Sequence, residues 1–403
     1  MTYVIRAGRA ADADAIVALQ AAVQLQELTG GAPHPGIAAW TAGLLDGHPT
    51  VGPGDFLVAE ETGTGRIAAS LVELRQEWSL GGVRLPVSVV ELVGTWPRDR
   101  GNRLTDRLLD VLHQRGDGTA LHVIEGIPYF YRRFGYEYAL ANDGAPVIPV
   151  AALPAGGSGR TVRVATVDDA EALAAIDREQ AAAGVWTCPR DAAAWRHEIA
   201  GRTADDLARR VVARQGDGYL VHTARPHDGV LTVLAATVRP DGATYGYLRR
   251  AGGPELTTLR LLLPPEHPLS VFGPAGVPRR ARGMYVRTGD PAALIARLEP
   301  LLRARWQAAG LRWPEPTMTI DGYGRAARLH FTDGLLTGIT TGRGEPGAHL
   351  RIPPGALLQL VLGHRSLAQI LDTWPDCLPR DRITERFLTV AFPRVPMHVW
   401  TRV

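Results

Sequence analysis

Short apolar runs and longer stretches with a helical spacing of apolar residues alternate along this chain, and their order predicts a mixed α/β protein. Tyr3 to Arg6 reads as a short strand and Ala11 to Leu28 as a helix, opened by Asp12 and Asp14 and carrying Ile16, Leu19, Val23 and Leu28 roughly on one face. Three β-rich runs follow, Phe56 to Glu60, Arg66 to Leu74 and Leu85 to Trp96, separated by turns at Gly63 to Gly65 and Gly81 to Gly82. After Pro97 the chain becomes polar and basic through Arg98, Asp99, Arg100, Gly101, Asn102 and Arg103. It then enters a helix carried by Leu104, Leu108, Leu109, Val111 and Leu112. A further strand, Ala120 to Ile124, leads to the aromatic segment IPYFYRRFGYEYAL, Ile127 to Leu140.

The small, flexible stretch 151–160, AALPAGGSGR, has the composition of an interdomain linker. Beyond it, Thr161 to Val164 and a helix from about Val167 to Ala183 repeat the opening order of strand, Asp pair and Ala-rich helix, which points to an internal duplication. Strands at Arg210 to Arg214, Gly218 to Thr223, Val230 to Thr237 and Thr244 to Leu248 continue this second unit. It has no Arg/Gly-rich loop like the one at Arg98, so it is expected to be a structural or dimer-building copy without a working site. The third part begins near Met284. It is predicted to hold a long helix at Leu294 to Ala308, strands at Thr317 to Ile320 and Ala326 to Phe331, and helices at Pro354 to Leu362 and Ser366 to Leu371. The expected organisation is therefore 1–150, a linker at 151–160, 161–283 and 284–403.

Composition narrows the function classes. At 403 residues the chain exceeds what one hydrophobic core serves, and 45% hydrophobic with 21% charged residues is ordinary for a globular protein. A net charge of +3 gives no argument for nucleic-acid binding. Every basic residue other than histidine is Arg, and the lack of Lys excludes a Schiff-base lysine and a GxxxxGK[ST] phosphate loop. Cys188 and Cys377 fit no paired spacing and read as buried small hydrophobes in a reducing cytoplasm, without disulfide or zinc. Neither an export signal nor a membrane span is read, since no stretch of about 18 uninterrupted apolar residues occurs.

The strongest local chemistry is the strand, loop and helix from Leu92 to Leu109. A basic loop opening a helix presents free backbone amides and the positive end of the helix dipole, which suits a pyrophosphate. Arg98, Arg100, Arg103 and Arg107 are candidates to add contacts to phosphates. The same residues also read as a solvated basic turn. His222, His227 and Asp228 match no common metal-ligand spacing, and His364 beside Arg365 and Ser366 marks a loop and helix start.

Taken with Tyr131 to Glu137, YRRFGYE, the loop resembles the GNAT acetyltransferase superfamily. There a strand, a CoA-pyrophosphate loop of pattern Gln/Arg-x-x-Gly-x-Gly/Ala and a helix are followed by a strand and a Tyr before an Arg-x-Phe-Gly-Phe/Tyr turn. Arg100, Gly101, Asn102, Arg103, Leu104 and Thr105 occupy the loop pattern, with Arg103 and Thr105 departing from it at the two small-residue positions. Thr187 to Trp195, Met284 to Leu298 and Leu357 to Leu371 further resemble the Eis-like (enhanced intracellular survival) acetyltransferases. That resemblance implies tandem GNAT folds, the second degenerate, followed by a sterol-carrier-protein-like α+β domain. It implies acetyl-CoA as co-substrate and no metal, with Tyr131 as the acid that protonates the departing thiolate and the terminal carboxylate of Val403 as the base. Val93, Gly94 and Thr95 would offer pantetheine contacts at a bulge made by Gly94, in the gap between two splayed strands. The implied reaction is acetyl transfer to a primary amine of a small polar molecule, for example an aminoglycoside-like antibiotic. The implied protein is a cytoplasmic homo-oligomer, a hexamer by resemblance, with no nucleic-acid or membrane partner. A non-catalytic binding protein with an impaired CoA loop and a protein-lysine acetyltransferase stand as alternatives.

Overall fold

In the computed structural model, residues 2–115, 118–142, 147–154, 161–183, 186–238, 240–264, 266–272 and 282–402 are described. The chain opens with β1 (Tyr3–Ala7), α1 (Ala13–Val23), α2 (Gln26–Thr29) and α3 (Pro35–Leu45). There follow β2 (Phe56–Glu61), β3 (Ile67–Leu80), β4 (Val83–Thr95), α4 (Leu104–Gln114), β5 (Leu121–Ile124) and β6 (Glu137–Asn142). The long helix expected over Ala11 to Leu28 is broken after Val23: Gln24 is extended and Leu25 turns left-handed at φ 53°. No Gly or Pro announces the break. Its cause is tertiary, because the extended Gln24 reaches across to donate to the Val93 carbonyl of β4 at 3.1 Å.

The second unit comprises β7 (Val147–Pro149), β8 (Arg163–Val164), α5 (Ala170–Ala182), β9 (Trp186–Thr187), α6 (Ala192–Arg196), β10 (Arg210–Gln215), β11 (Gly218–Thr223), β12 (Val230–Ala236), α7 (Gly242–Gly252) and β13 (Thr258–Leu261). Its sheet has the order β7-β13-β12-β11-β10-β8. The strand expected at Thr244 to Leu248 is instead part of α7. Its aromatic and β-branched residues suggested a strand, but the Asp241 side chain accepts from the Thr244 N–H and starts a helix. α8 (Pro268–Phe272) and β14 (Arg282–Arg287) come next.

β14 enters the first sheet, whose order is β1-β2-β3-β4-β5-β14-β6, with β9 pairing β3. The boundary expected between 283 and 284 falls inside this strand, and the one expected after 150 falls just past β7, which pairs with β13. Residues 155–160 of the expected linker lie outside the described residues. α9 (Pro291–Arg297) and α10 (Glu299–Ala308) replace the single helix expected over Leu294 to Ala308, because Pro300 sits in the first turn of a new helix that starts after Leu298. β15 (Thr317–Asp321), β16 (Arg325–Thr332), β17 (Leu335–Arg343), β18 (Leu350–Arg351) and β19 (Leu378–Pro379) make a third sheet, with α11 (Pro354–Val361), α12 (Leu367–Thr373) and α13 (Arg382–Ala391).

The two openings share a detail that fixes their alignment. Arg6 pairs with Asp12 across the start of α1, and Arg163 pairs with Asp169 across the start of α5, at the same spacing of six residues. One apolar core joins the α1 and α3 side of the first sheet to the third unit, and a second surrounds α4 on the opposite face with Leu104, Leu108, Tyr131 and Tyr285.

Candidate acyl-CoA cleft

The cleft originates where two parallel strands part. β4 and β5 are in register from Val87↔Leu121 to Val90↔Ile124, after which β5 ends and β4 continues to Thr95. In the same stretch β4 bulges: Val72 of β3 faces Glu91 and Ser70 faces Gly94. Leu92 and Val93 thus stand opposite the single residue Leu71, and Leu92 takes a left-handed φ of 50°. The bulge therefore arises at Leu92 rather than at Gly94. Gly94 has a different duty: a Cβ there would come within 2.7 Å of Val23 and 2.9 Å of the Gln20 amide, so only glycine lets α1 approach. Gln20 is fully buried and donates to the Leu92 carbonyl at 2.6 Å and the Ser70 hydroxyl at 2.8 Å. With Gln24 on the Val93 carbonyl, two side chains of α1 and its exit hold the bulge in shape.

The basic loop after Pro97 is pinned from below. Asp99 is buried and accepts from Arg66 at 2.7 and 2.8 Å and from the Tyr3 hydroxyl at 2.9 Å. Its backbone carbonyl accepts from the Asn102 side chain. Arg66 first, then Tyr3, hold the Asp99 carboxyl below its ordinary pKa. Gly101 and Arg103 have φ of 85° and 54°, so Arg103 makes the left-handed turn that the pattern assigns to glycine. Its guanidinium swings to Asp106 at 3.0 Å. No side chain caps α4, whose first amides point out of the loop.

Bulge and loop meet in a cavity of about 600 Å³ lined by Val93, Gly94 and Thr95, by Arg100, Gly101, Arg103, Leu104 and Thr105, and by Gln24, Phe130 and Arg133. Eight of the nine residues expected to contact CoA thus share one cavity, with Asn102 turned back to Asp99. Two expected arginines are absent from its lining. Arg107 donates to the Tyr3 carbonyl at 2.8 Å, and Arg98 lies over the Trp96 ring. Arg133, which sequence reasoning passed over, supplies a cation there while pairing with Asp106 at 2.7 Å. The cavity joins an uncapped helix start to the cations Arg100, Arg103 and Arg133, a combination that suits a pyrophosphate.

Tyr131 is buried in the short turn Phe130–Phe134, edge-on to Phe130, Tyr136 and Tyr285. Its ring lies against Gly126, where a Cβ would come within 2.5 Å. Burial, then the nearby Glu91 of β4, raise the phenol well above its usual pKa and keep it protonated. Glu91 was not singled out from the sequence, and no motif marks it.

Val403 lies outside the described residues. The residues before it return to the first sheet: Arg402 exchanges hydrogen bonds with Gln76 of β3 through both backbone groups, and Arg190 donates to the carbonyls of Trp400 and Thr401. His222 is a core residue bonded to Tyr247, and Cys188 and Cys377 are buried. Among the described residues no cluster of metal-ligating side chains occurs and no helix is long and apolar enough to cross a membrane.

Residues 4–139 match the family described as an acetyltransferase (GNAT) domain. No curated protein sequence matches the chain. Among solved structures it is similar to a GCN5-related N-acetyltransferase from Kribbella flavida, with TM-score 0.70 and 17% identity over 99% of this chain and 97% of that one. A GCN5-related N-acetyltransferase from Anabaena variabilis superposes with TM-score 0.70 and 15% identity over 99% of both chains. Eis1 from Mycobacterium abscessus does so with TM-score 0.63 and 18% identity, again over 99% of both. At these identities the likeness concerns the fold. Residues 4–139 thus carry an acetyltransferase (GNAT) domain, and this domain supports an acyltransferase.

Proposed function

We propose that the chain transfers an acetyl group from acetyl-CoA to a primary amine of a small polar molecule. The observation that carries this reading is the cavity in which the β4 bulge and the 100–105 loop converge with Phe130 and Arg133, two residues of the turn that holds Tyr131 behind the lining. Backbone amides at the loop and helix start receive the pyrophosphate, with Arg100, Arg103 and Arg133 adding charge. The bulge residues Val93, Gly94 and Thr95 receive the pantetheine and polarise the thioester carbonyl. The acceptor nitrogen forms the new amide bond as the carbon–sulfur bond breaks. Tyr131, kept protonated by burial, gives its proton to the departing sulfur.

The base is the terminal carboxylate of Val403, which takes the proton lost by the amine. Arg402 is tied to Gln76 of β3, six residues along the strand from Ser70 beside the bulge. The left-handed turn at Arg103 favours this reading over a decayed loop, because the backbone keeps the conformation although the glycine is gone.

We further infer that the chain is built as 1–150, 161–283 and 284–403, with β7 and β14 crossing these bounds into the neighbouring unit's sheet, the second unit a degenerate GNAT copy and the third a sterol-carrier-protein-like domain of an Eis-like enzyme. The repeated Arg–Asp pair at the starts of α1 and α5 supports the copy. Calorimetric titration with acetyl-CoA, followed by thiol release with a panel of primary amines, tests the whole proposal. Micromolar binding with amine-dependent release is expected. Absence of acetyl-CoA binding would remove it.

A further inference from the structure

The second sheet parts in the same manner as the first. β12 and β13 stay in register from Val230↔Thr258 to Val233↔Leu261, and β12 then runs on alone to Ala236. β12 also bulges, since Val221 of β11 faces Ala235 and His222 faces Val233, leaving Leu234 extra. A cavity of about 310 Å³ lies at this opening, between Ala235, Ala236 and Thr237 on one side and Leu263 and Pro264 on the other. The tail closes it with Pro396, His398 and Trp400.

This cleft is not built for a pyrophosphate. Where α4 leaves its first amides open, Asp241 caps α7 and accepts from the Thr244 N–H. A carboxylate at that helix start repels an anion. On the repeat reading proposed above, the offset that carries Arg6 to Arg163 and Asp12 to Asp169 also carries Gln20 to Asp177, a lining residue.

Its interior is apolar and electrically closed. Trp186, Tyr219 and Trp400 form aromatic walls. The Asp177 oxygens are taken by the Tyr219 hydroxyl at 2.9 Å and the Arg190 backbone N–H at 2.8 Å. The Arg190 guanidinium stacks on Trp400 at 3.4 Å, donates to three backbone carbonyls and lies 3.5 Å from Glu198. Burial first, opposed by a hydrogen bond with the Leu234 backbone and reinforced by His267, lowers His398 to about 4, so that its imidazole is neutral. Apart from the exposed and solvated Glu266, no charged side chain of the described lining is without a partner, so an ionic ligand would be desolvated inside without compensation. Among the described residues, three lining residues carry buried polar atoms without a full set of hydrogen-bond partners: Thr187 through Oγ1, Arg190 through Nε, which faces Glu198, and His398 through a ring nitrogen, its ring otherwise meeting the Leu234 backbone.

We propose that the second cleft binds a small uncharged aromatic molecule with a hydrogen-bonding edge, held between Trp186, Tyr219 and Trp400 and read by Thr187 and His398. The cavity volume is at the small end of the range for ligand pockets. Such a ligand would sit on the tail segment that leads to Arg402 and thereby stabilise its docking on Gln76.

The test is calorimetric titration of the full chain with indole, beside the charged analogues indole-3-acetate and tryptamine. Indole is expected to saturate one site with a Kd of the order of 0.1–1 mM, as a nine-atom ligand allows. The two charged analogues should bind at least about tenfold more weakly. Ala236→Trp, which fills the cavity, should abolish the isotherm, and His398→Leu should weaken it about fivefold or more. Circular dichroism reports whether each variant is folded, and His398→Leu carries the test if Ala236→Trp is not. Lack of saturation by indole, equal binding of the charged analogues, or indifference to His398→Leu would each overturn the proposal. Because acetyl-CoA binding is measured separately, failure here leaves the transferase reading untouched.

Discussion

Arg103 makes a left-handed turn at φ 54° while its guanidinium reaches forward to Asp106 at 3.0 Å. An L side chain in this conformation costs about 1–2 kcal/mol, and an ion pair whose Arg is 80% exposed returns little of it. The turn survives because the loop around it is fixed, by Asp99 below and by Gly101 before it.

Arg103→Gly is accordingly expected to raise stability by up to about 1 kcal/mol. It should leave CoA affinity within about threefold, because backbone amides do most of the holding. Thermal denaturation and calorimetric titration read both numbers. A gain of tenfold or more in affinity would mean that the arginine crowds the pyrophosphate. A drop in Tm would mean that the Asp106 pair holds the turn.

Tyr131→Phe removes the proton donor without emptying the aromatic cluster around it. General acid catalysis contributes roughly 10²–10⁴-fold, so kcat should fall by about that factor while KM for acetyl-CoA changes little. The sign of the pH effect follows from burial. A phenol raised above its ordinary value of about 10 stays protonated through the neutral and mildly basic range. Wild-type kcat should therefore show no loss from this group up to about pH 10. A basic limb near pH 8 that vanishes in the Phe variant would contradict that assignment.

The sequence was most legible where local signals and tertiary demands agree. The strand, basic loop and helix from β4 to α4 announced themselves, because the Leu spacing of α4 and the arginines before it need no partner to be recognised. The position of the bulge was not legible. Gly94 drew attention as the permissive residue, yet the left-handed turn falls on Leu92, where Gln20 from α1 accounts for it. Likewise the break after Val23 depends on a bond from Gln24 to a strand far away in sequence. Arg133 takes the place at the cleft that was expected of Arg107 for the same reason, since which arginine faces the cleft is settled by packing against Tyr3 and Phe130. The entry of β14 between β5 and β6 carries no local signal, because its pairing partners lie more than a hundred residues earlier.

Asp99 is the next point of leverage, with its carboxylate 1% exposed and bonded to Arg66 and Tyr3. Removing one partner of a buried pair costs about 3–5 kcal/mol. Asp99→Asn keeps an acceptor for the tyrosine and should cost about 2–3 kcal/mol, with weaker CoA binding as the loop loosens. The folded carboxyl titrates below its unfolded value of about 3.9. Its contribution is thus complete above that value and lost as the pH falls through the folded one. Urea denaturation at pH 7 should separate wild type and variant fully, and the gap should narrow as the pH falls below the unfolded value of about 3.9. A gap that persists there would assign the loss to packing rather than to charge.

His113 works in the opposite direction. Its ring meets the Tyr136 hydroxyl at 3.0 Å and stands edge-on to His122. Burial first, then the charges of Arg287 and His122, lower it to about 3. An unfolded histidine titrates near 6.5, so between pH 6.5 and about 3 the unfolded chain takes up a proton that the folded one refuses. Stability therefore falls as the pH drops through this window. His113→Gln retains a polar partner for Tyr136 and has no charge to acquire. It should cost about 1 kcal/mol at pH 7 through poorer hydrogen-bond geometry. The loss should shrink or reverse by pH 5. Urea midpoints of the two proteins across pH 4.5–7.5 give the measurement. Parallel curves would mean that His113 accepts its proton in the folded state and that water reaches the ring.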